Sequence, residues 1–249
     1  MIGSEPVIDG EEVTVDGFLN NRLTIFQPKR GFRAGHDSVL LAASVPIAEH
    51  GHALELGSGV GVASLCLAAR AKECRVTGIE IGPELVELAV ENAKNNQLAQ
   101  RVNFLLGDVL ENTLKGQHFD QVFLNPPFHP RSARKSPDEG RARAMYDHED
   151  ALTRWTALSI GLVCPGGSVT VVMRADRLAL WREGLAGALA VLPLLPRQDE
   201  EPKRVIARLT PTSSTSFQEA KPFVLHLPDG RPTDEAEEVL REGAPLFFK

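Results

Sequence analysis

Five short runs along the chain are almost wholly apolar: Ala53–Leu56 (ALEL), Arg75–Glu80 (RVTGIE), Val102–Leu106 (VNFLL), Phe119–Leu124 (FDQVFL) and Ser168–Met173 (SVTVVM). Such runs suit strands covered on both faces. Between them the pattern changes to a spacing of three and four. Leu85, Leu88, Ala89 and Asn92 keep it after Pro83, which suits a first helical turn. Leu152, Trp155, Leu158 and Leu162 repeat it, and so do Leu178, Trp181, Leu185 and Leu189. Strand alternating with helix predicts an α/β fold around a parallel, doubly wound sheet.

Both ends of the chain depart from that rhythm. Arg204–Leu209 (RVIARL) and Pro222–Leu227 (PFVLHL) are strand-like with only a polar loop between them. They predict an antiparallel pair at the sheet edge, which brings the strands to seven. A helix from Asp234 to Arg241 follows. Near the start, VTVDGFLNNRLTIFQP alternates and carries Asp16-Gly17 and Asn20-Asn21, the chemistry of a hairpin turn. Asp37 or Ser38 then caps a helix that Pro46 ends or kinks. The expected organisation is an extension of hairpin and helix over residues 1–50 and a Rossmann-like domain over residues 51–249.

Composition narrows the setting. The 249 residues are 43% hydrophobic, enough for a sizeable core, and no stretch approaches the ~20 apolar residues of a membrane helix. The opening MIGSEPVIDG is acidic and polar, unlike a signal peptide. A soluble, cytoplasmic protein without a membrane partner is expected. Cys66, Cys74 and Cys164 are scattered without metal-ligand spacing and read as reduced thiols; no metal site is expected. The net charge of −6 argues against broad, nonspecific binding of nucleic acid, but not against a local basic patch. Monomer and homodimer both fit the sequence.

Candidate chemistry gathers at the ends of the predicted strands. ELGSGVG, Glu55 to Gly61, is a strand, a glycine turn and a helix start. Glycines admit positive φ and close approach of a ligand, and helix N-termini favour anions. Glu80 ends the second strand, where a carboxylate can accept ribose hydroxyls, and Asp108 follows the third. Each acid alone fits a solvated loop. Together, at the carboxyl ends of consecutive strands, they point to a nucleoside-bearing cofactor. After the fourth strand comes Asn125-Pro126-Pro127-Phe128.

These residues resemble class I S-adenosylmethionine-dependent methyltransferases with an NPPF motif. The resemblance implies S-adenosyl-L-methionine as cofactor. It implies that Glu55, Leu56, Gly57, Ser58, Gly59 and Gly61 line the methionine and ribose part, with Asn125 beside them. It further implies that Glu80 binds the ribose hydroxyls, with Ile81 next to it, and that Asp108 and Val109 face the adenine. The motif has a physical reason. An exocyclic adenine amine is a poor nucleophile, because its lone pair is delocalised into the ring. Two acceptors off the ring plane, the Asn125 side-chain oxygen and the Pro126 carbonyl, hold its two N–H groups and stabilise the growing positive charge. The prolines fix φ and add no competing donor. Phe128 offers a stacking surface.

Members of this class with NPP-aromatic include adenine, guanine and glutamine-side-chain methylases. QPKRGFRAGHDSVLLAASVP (27–46), HEDALTRW (148–155), CPGGSVTVVM (164–173) and DEAEEVLREGA (234–244) resemble the tRNA(Val) anticodon-loop adenine methylases. That resemblance implies Arg33, Asp37 and Ser38 near the methionine end of the cofactor, although Arg33 also suits phosphate and the other two also suit a helix cap. His36 and His129 read as bland or, for His129, as a substrate contact. From His129 to Arg143 five basic residues oppose two acidic ones, a local +3 with His neutral. Arg131, Arg134 and Lys135 there are candidates for RNA phosphates. The reading is methyl transfer to an adenine amine in RNA, most simply tRNA. The alternatives are a protein glutamine, an rRNA guanine, a small molecule, or a catalytically quiet nucleic-acid-binding module.

Overall fold

The computed structural model describes residues 7–8, 11–30, 33–111, 114–126 and 148–249. The chain opens with an antiparallel sheet of β1 (Val7–Ile8), β2 (Glu11–Phe18) and β3 (Leu23–Pro28). Its β2–β3 turn puts Leu19, Asn20 and Asn21 at φ 49, 56 and 60°. Asparagine tolerates that left-handed region well; Leu19 accepts it while burying its side chain.

Helix α1 (His36–Ser44) leads into β4 (His52–Leu56), α2 (Val62–Arg70), β5 (Arg75–Glu80), α3 (Pro83–Asn95), β6 (Val102–Leu106) and β7 (Phe119–Leu124). Beyond them lie α4 (His148–Leu162), β8 (Val163–Arg174), the short α5 (Leu178–Trp181), β9 (Ala188–Leu195) and β10 (Arg204–Thr210). The chain finishes with β11 (Ser216–Glu219), β12 (Phe223–Val224) and α6 (Asp234–Leu240). The main sheet has the order β11-β9-β10-β8-β7-β4-β5-β6, with β12 also on β9. Strands β4 to β8 pair in parallel, and β10 runs antiparallel between β8 and β9. This is a Rossmann-like, mostly parallel α/β sheet, and its order reverses beside β4, where such sheets bind ligands.

Two details of the tail differ from the sequence expectation. The helix expected through Leu189 stops at Trp181, and Ala188–Leu195 is a strand. Gly184 and Gly187 take φ of 76 and 137°, which ends the helical path. The antiparallel partner of β10 is therefore β9, not Pro222–Leu227. Of that run only Phe223–Val224 joins the main sheet, in parallel with β9, and His226 makes a lone antiparallel bridge to Pro232. With β11 and β12 the sheet has nine strands rather than seven.

The sheet divides the core in two. One cluster joins Val39, Leu40, Leu65, Leu88, Phe123, Val172 and Ile206 to Val13, Leu19, Leu23 and Ile25 of the N-terminal sheet. The other, beneath α4, joins Leu54, Ile79, Phe119, Leu124, Val171 and Trp181. Trp181 Nε1 donates to Thr156 Oγ1 of α4 at 2.7 Å, so the indole buries without an unpaired donor. Helix α1 spans about 13 Å, close to the ~13 Å between residues 204 and 208 of β10. Arg204 meets Asp37 at the start of the helix (3.2 Å), and Arg208 donates to the Ser44 carbonyl at its end. A guanidinium at a helix C-terminus also complements the macrodipole. Burial pushes the Arg208 pKa down to about 10.

Among the described residues no helix is long and apolar enough to cross a membrane, and no group of three or more His, Cys, Asp or Glu could hold a metal ion. The three cysteines are free thiols.

Candidate active site

The glycine turn is built from backbone up. Gly57, Gly59 and Gly61 all have positive φ (68, 53 and 87°). The Gly57 and Ser58 N–H groups both donate to Ile79 O, at 2.9 and 3.0 Å, and so fix the turn against the end of β5. Space as well as φ demands glycine at two of these positions. A Cβ on Gly57 would lie 2.9 Å from the Trp155 ring, and one on Gly61 would lie 2.5 Å from Phe104. Around Gly59 the same construction meets nothing within 4 Å, so this glycine faces open space.

Glu80 locks the turn from the neighbouring strand. One carboxylate oxygen accepts from Gly59 N–H (2.9 Å), the other from Ile81 N–H (2.9 Å) and Gly82 N–H (3.0 Å). A carboxylate offers about four lone-pair positions. Three are used, and the remaining one lies on the oxygen shared with Gly59. Glu55 points the other way, under α2. Its Oε2 accepts from both the N–H (2.9 Å) and the hydroxyl (2.5 Å) of Ser64, which supplies the cap that Gly61 cannot. Burial pushes the Glu55 carboxyl up to about 8, against the lowering by the Ser64 hydrogen bonds, with Glu80 adding to the rise.

Asp108 accepts from Leu110 N–H at 2.8 Å and so turns the chain after β6. Val109 is buried in the core, whereas Ile81, Leu106 and Leu110 are exposed at these strand ends. At the end of β7, next to β4, stand Asn125 and Pro126. Asn125 Oδ1 is buried and has no hydrogen-bond partner, and the same holds for Ser58 Oγ in the glycine turn. Native proteins rarely leave buried acceptors unpaired, because each costs ~1–3 kcal/mol. Two of them at one strand-end site mark positions that a bound molecule would satisfy. With the open approach at Gly59, the spare Glu80 lone pair and the exposed apolar rim, the Ser58 hydroxyl fits a nucleoside-bearing cofactor, and Asn125 Oδ1 offers an acceptor to a second group beside it.

The structure gathers Leu56, Gly57, Ser58, Gly59, Gly61, Glu80, Ile81, Asp108, Asn125 and Pro126 at one edge of the sheet, while the side chains of Glu55 and Val109, expected at the cofactor, are engaged by Ser64 and by the core. Pro127, Phe128, His129, Arg131, Arg134 and Lys135 lie outside the described residues. Arg33 is engaged elsewhere: it donates to Asp16 (2.6 Å), Thr14 Oγ1 (2.7 Å) and Pro28 O (3.2 Å) on the N-terminal sheet. Asp37 is held by Arg204, Ser38 is buried and His36 is exposed.

Sequence reasoning missed three supports. Trp155 read as a core position, yet its ring lies against Gly57. Leu106 read as the end of a buried strand, yet it is exposed. Asn92 passed as one position in a helical repeat. It is fully buried, accepts from Phe26 N–H (2.7 Å) and donates to Phe26 O (3.0 Å) and Val60 O (3.0 Å). An amide on the apolar stripe of α3 was the available signal for it.

The sheet order and its strand-end site are those of a class I methyltransferase, and the protein is an enzyme of that kind. The family model "Methyltransferase small domain" matches residues 33–139. A tRNA1(Val) (adenine(37)-N6)-methyltransferase of Porphyromonas gingivalis is 31% identical over 217 residues, covering 80% of this chain and 82% of the relative. One from Aeromonas hydrophila is 26% identical over 242 residues, covering 94% and 98%. Among solved structures, a predicted O-methyltransferase from Agrobacterium tumefaciens superposes with a TM-score of 0.70 at 21% identity, covering 84% of this chain and 98% of that one. The chain belongs to the family of tRNA1(Val) (adenine(37)-N6)-methyltransferases.

Proposed function

We propose that the protein transfers the methyl group of S-adenosyl-L-methionine to the exocyclic amine of an adenine in RNA, that the RNA is a tRNA, and that the reaction runs in the cytoplasm. The buried, unpaired Oδ1 of Asn125 carries the reading. It is an acceptor at the end of β7, beside the cofactor turn, and an amine N–H is the group that satisfies it. The family supplies the substrate class, since the relatives are named for adenine in tRNA.

When bound, the cofactor supplies an electrophilic sulfonium methyl. Glu80 would hold a ribose hydroxyl through its last lone-pair position, Ile81, Leu106 and Leu110 would offer apolar surface to the adenine with Asp108 nearby, and Gly57, Ser58 and Gly59 would receive the methionine end through backbone and the Ser58 hydroxyl. Asn125 Oδ1 and the Pro126 carbonyl accept the two N–H groups of the target amine and turn its lone pair out of conjugation. As the new N–C bond formed and the methyl–sulfur bond broke, with its electron pair left on sulfur as a neutral thioether, positive charge would pass to that nitrogen, where the two oxygens would stabilise it. The proton leaves afterwards, so no strong base is needed. Phe128 stacks on the target base, and His129, Arg131, Arg134 and Lys135 engage the surrounding RNA.

The test is methyl transfer from radiolabelled cofactor to total RNA and to total protein of cells lacking this enzyme. Digestion to nucleosides is expected to place the label in N6-methyladenosine of the tRNA fraction. Label in glutamine of the protein fraction, or in a guanine nucleoside, overturns the reading.

A further inference from the structure

We propose that Arg174 and Arg204 form a clamp for a backbone phosphate of the polynucleotide whose base enters beside Asn125. The inference rests on the RNA reading above and assigns a binding role to two residues outside the strand-end motifs.

The two arginines are direct partners across the antiparallel β8–β10 pair. Direct partners project from the same face of a sheet, where like charges repel. Their column continues inward as Val172 with Ile206 and then Thr170 with Arg208, all on the α1 face. The outermost pair is thus the only one in the column where cation faces cation. Neither arginine is buried: their side chains are 50% and 34% exposed. Carboxylates on either side hold them. Arg174 Nε and Nη2 donate to Asp176 (3.0 and 2.5 Å), while Arg204 Nε donates to Asp37 (3.2 Å). The Ala175 N–H donates to Lys203 O at 3.2 Å and ties the two strand ends together.

Placement gives the pair its meaning. Strand β8 lies beside β7, and β10 beside β8. Leu124 of β7 is in register with Val171, and Arg174 closes β8 three residues later. Arg174 and Arg204 therefore stand at the edge that carries Asn125 and Pro126, on the adjacent strand and the one beyond it. They stand on the side opposite the glycine turn and Glu80, across β7. A molecule seated at Asn125 with its cofactor-facing side toward β4 turns its other side toward this pair. A phosphate between two guanidiniums replaces their mutual repulsion with charge-assisted, bidentate hydrogen bonds. Lys203 and Arg177 are their chain neighbours, but Asp199, Glu200 and Glu201 precede Lys203, so a phosphate would be drawn by the paired guanidiniums themselves rather than by a broad basic patch.

The experiment measures affinity of the full-length protein for an unmodified tRNA transcript across a series of KCl concentrations. Wild type is compared with the Arg174→Gln/Arg204→Gln double variant and with Asp176→Asn. In the double variant affinity is expected to fall at least tenfold, and the slope of log K against log salt to shrink by about 0.7 per lost phosphate contact. The kinetic loss falls on KM for RNA more than on kcat. Asp176→Asn releases Arg174 from its carboxylate and is expected to tighten binding and steepen the slope, a direction that misfolding cannot produce. Cofactor affinity and the unfolding midpoint check that each variant is folded. Wild type that methylates RNA with an unchanged slope and KM in the double variant overturns the clamp alone. Wild type that methylates no RNA overturns the functional reading and the clamp with it.

Discussion

At the scale of single residues, two carboxamide and carboxyl groups separate catalysis from architecture. Asn125 bears an acceptor with nothing to accept. Replacing it by alanine removes one of the two oxygens aimed at the amine, a loss comparable with one oxyanion-hole donor, about 10²–10³ in kcat or ~3–4 kcal/mol. Cofactor affinity, measured by calorimetry, is expected to change little. Near-normal turnover with intact cofactor binding would remove Asn125 from the chemistry. Glu55 behaves differently. Its acid pKa is raised in the folded state, to about 8, first by burial. The folded protein therefore holds this proton more tightly than the unfolded chain does. That contribution to stability is fully present below the ordinary carboxyl pKa and is lost as pH rises toward 8. Glu55→Gln keeps an acceptor for Ser64 and has nothing to titrate. The stability of the variant relative to wild type should thus rise between pH 5 and pH 8, by at most about 1.4 kcal/mol per pH unit. Urea unfolding midpoints at several pH values measure it, and a pH-independent difference would place the Glu55 pKa outside that window.

At the scale of elements, Asn92 decides how the N-terminal sheet meets the cofactor turn. Its side chain satisfies both backbone groups of Phe26 in β3 and the carbonyl of Val60 in the turn. The next residue of β3, Gln27, accepts from the Ala34 N–H (2.9 Å) and donates to its carbonyl (3.3 Å), just before α1. Asn92→Leu leaves three backbone groups buried without partners, at ~1–3 kcal/mol each. A loss of several kcal/mol, or about 10 °C in Tm for a chain of this size, is expected by thermal unfolding. The KM for cofactor should rise as well, because Val60 belongs to the turn. A stable variant with a normal KM would show that the node is redundant. An amide on an apolar stripe hinted at Asn92, but its partners were not legible in the sequence, since they lie 66 and 32 residues away. What was legible depended on local pattern. Arg75–Glu80 and Phe119–Leu124 are strands with the expected bounds, because runs buried on both faces leave no competing periodicity; Val102–Leu106 keeps its bounds too, although as the edge strand it exposes Asn103 and Leu106. Strand β9 hid behind Leu178, Trp181, Leu185 and Leu189, whose spacing fits a helix. Its Pro193 also argues against a strand. Gly184 and Gly187 were the counter-signal, and tertiary pairing with β10 settles the segment. Likewise the NPPF motif announced Asn125, while the engagement of Arg33 with Asp16 needed the hairpin folded back on it.

At the scale of the whole molecule, the question is whether residues 1–50 are an appendage or part of the enzyme's core. Val13, Leu19, Leu23 and Ile25 are each at most 3% exposed, and they belong to one cluster with Leu65, Leu88 and Phe104 from the sheet and its helices. Fully burying an aliphatic side chain contributes ~1.5–3 kcal/mol. Four of them account for roughly 6–12 kcal/mol, about the entire net stability of an ordinary domain, ~5–15 kcal/mol. A chain beginning at residue 33 would also strip Asn92 of its Phe26 partners and Asn96 of Thr24, whose N–H it holds at 2.9 Å. Such a truncated chain is expected to lose cooperative unfolding and to bind apolar dyes, rather than to survive as a smaller methyltransferase. Circular dichroism across a thermal ramp, with a cofactor titration beside it, tests this. Cooperative unfolding with cofactor affinity near wild type would make the N-terminal sheet a separable module, and its place would then be sought in recognition of the RNA rather than in support of the glycine turn.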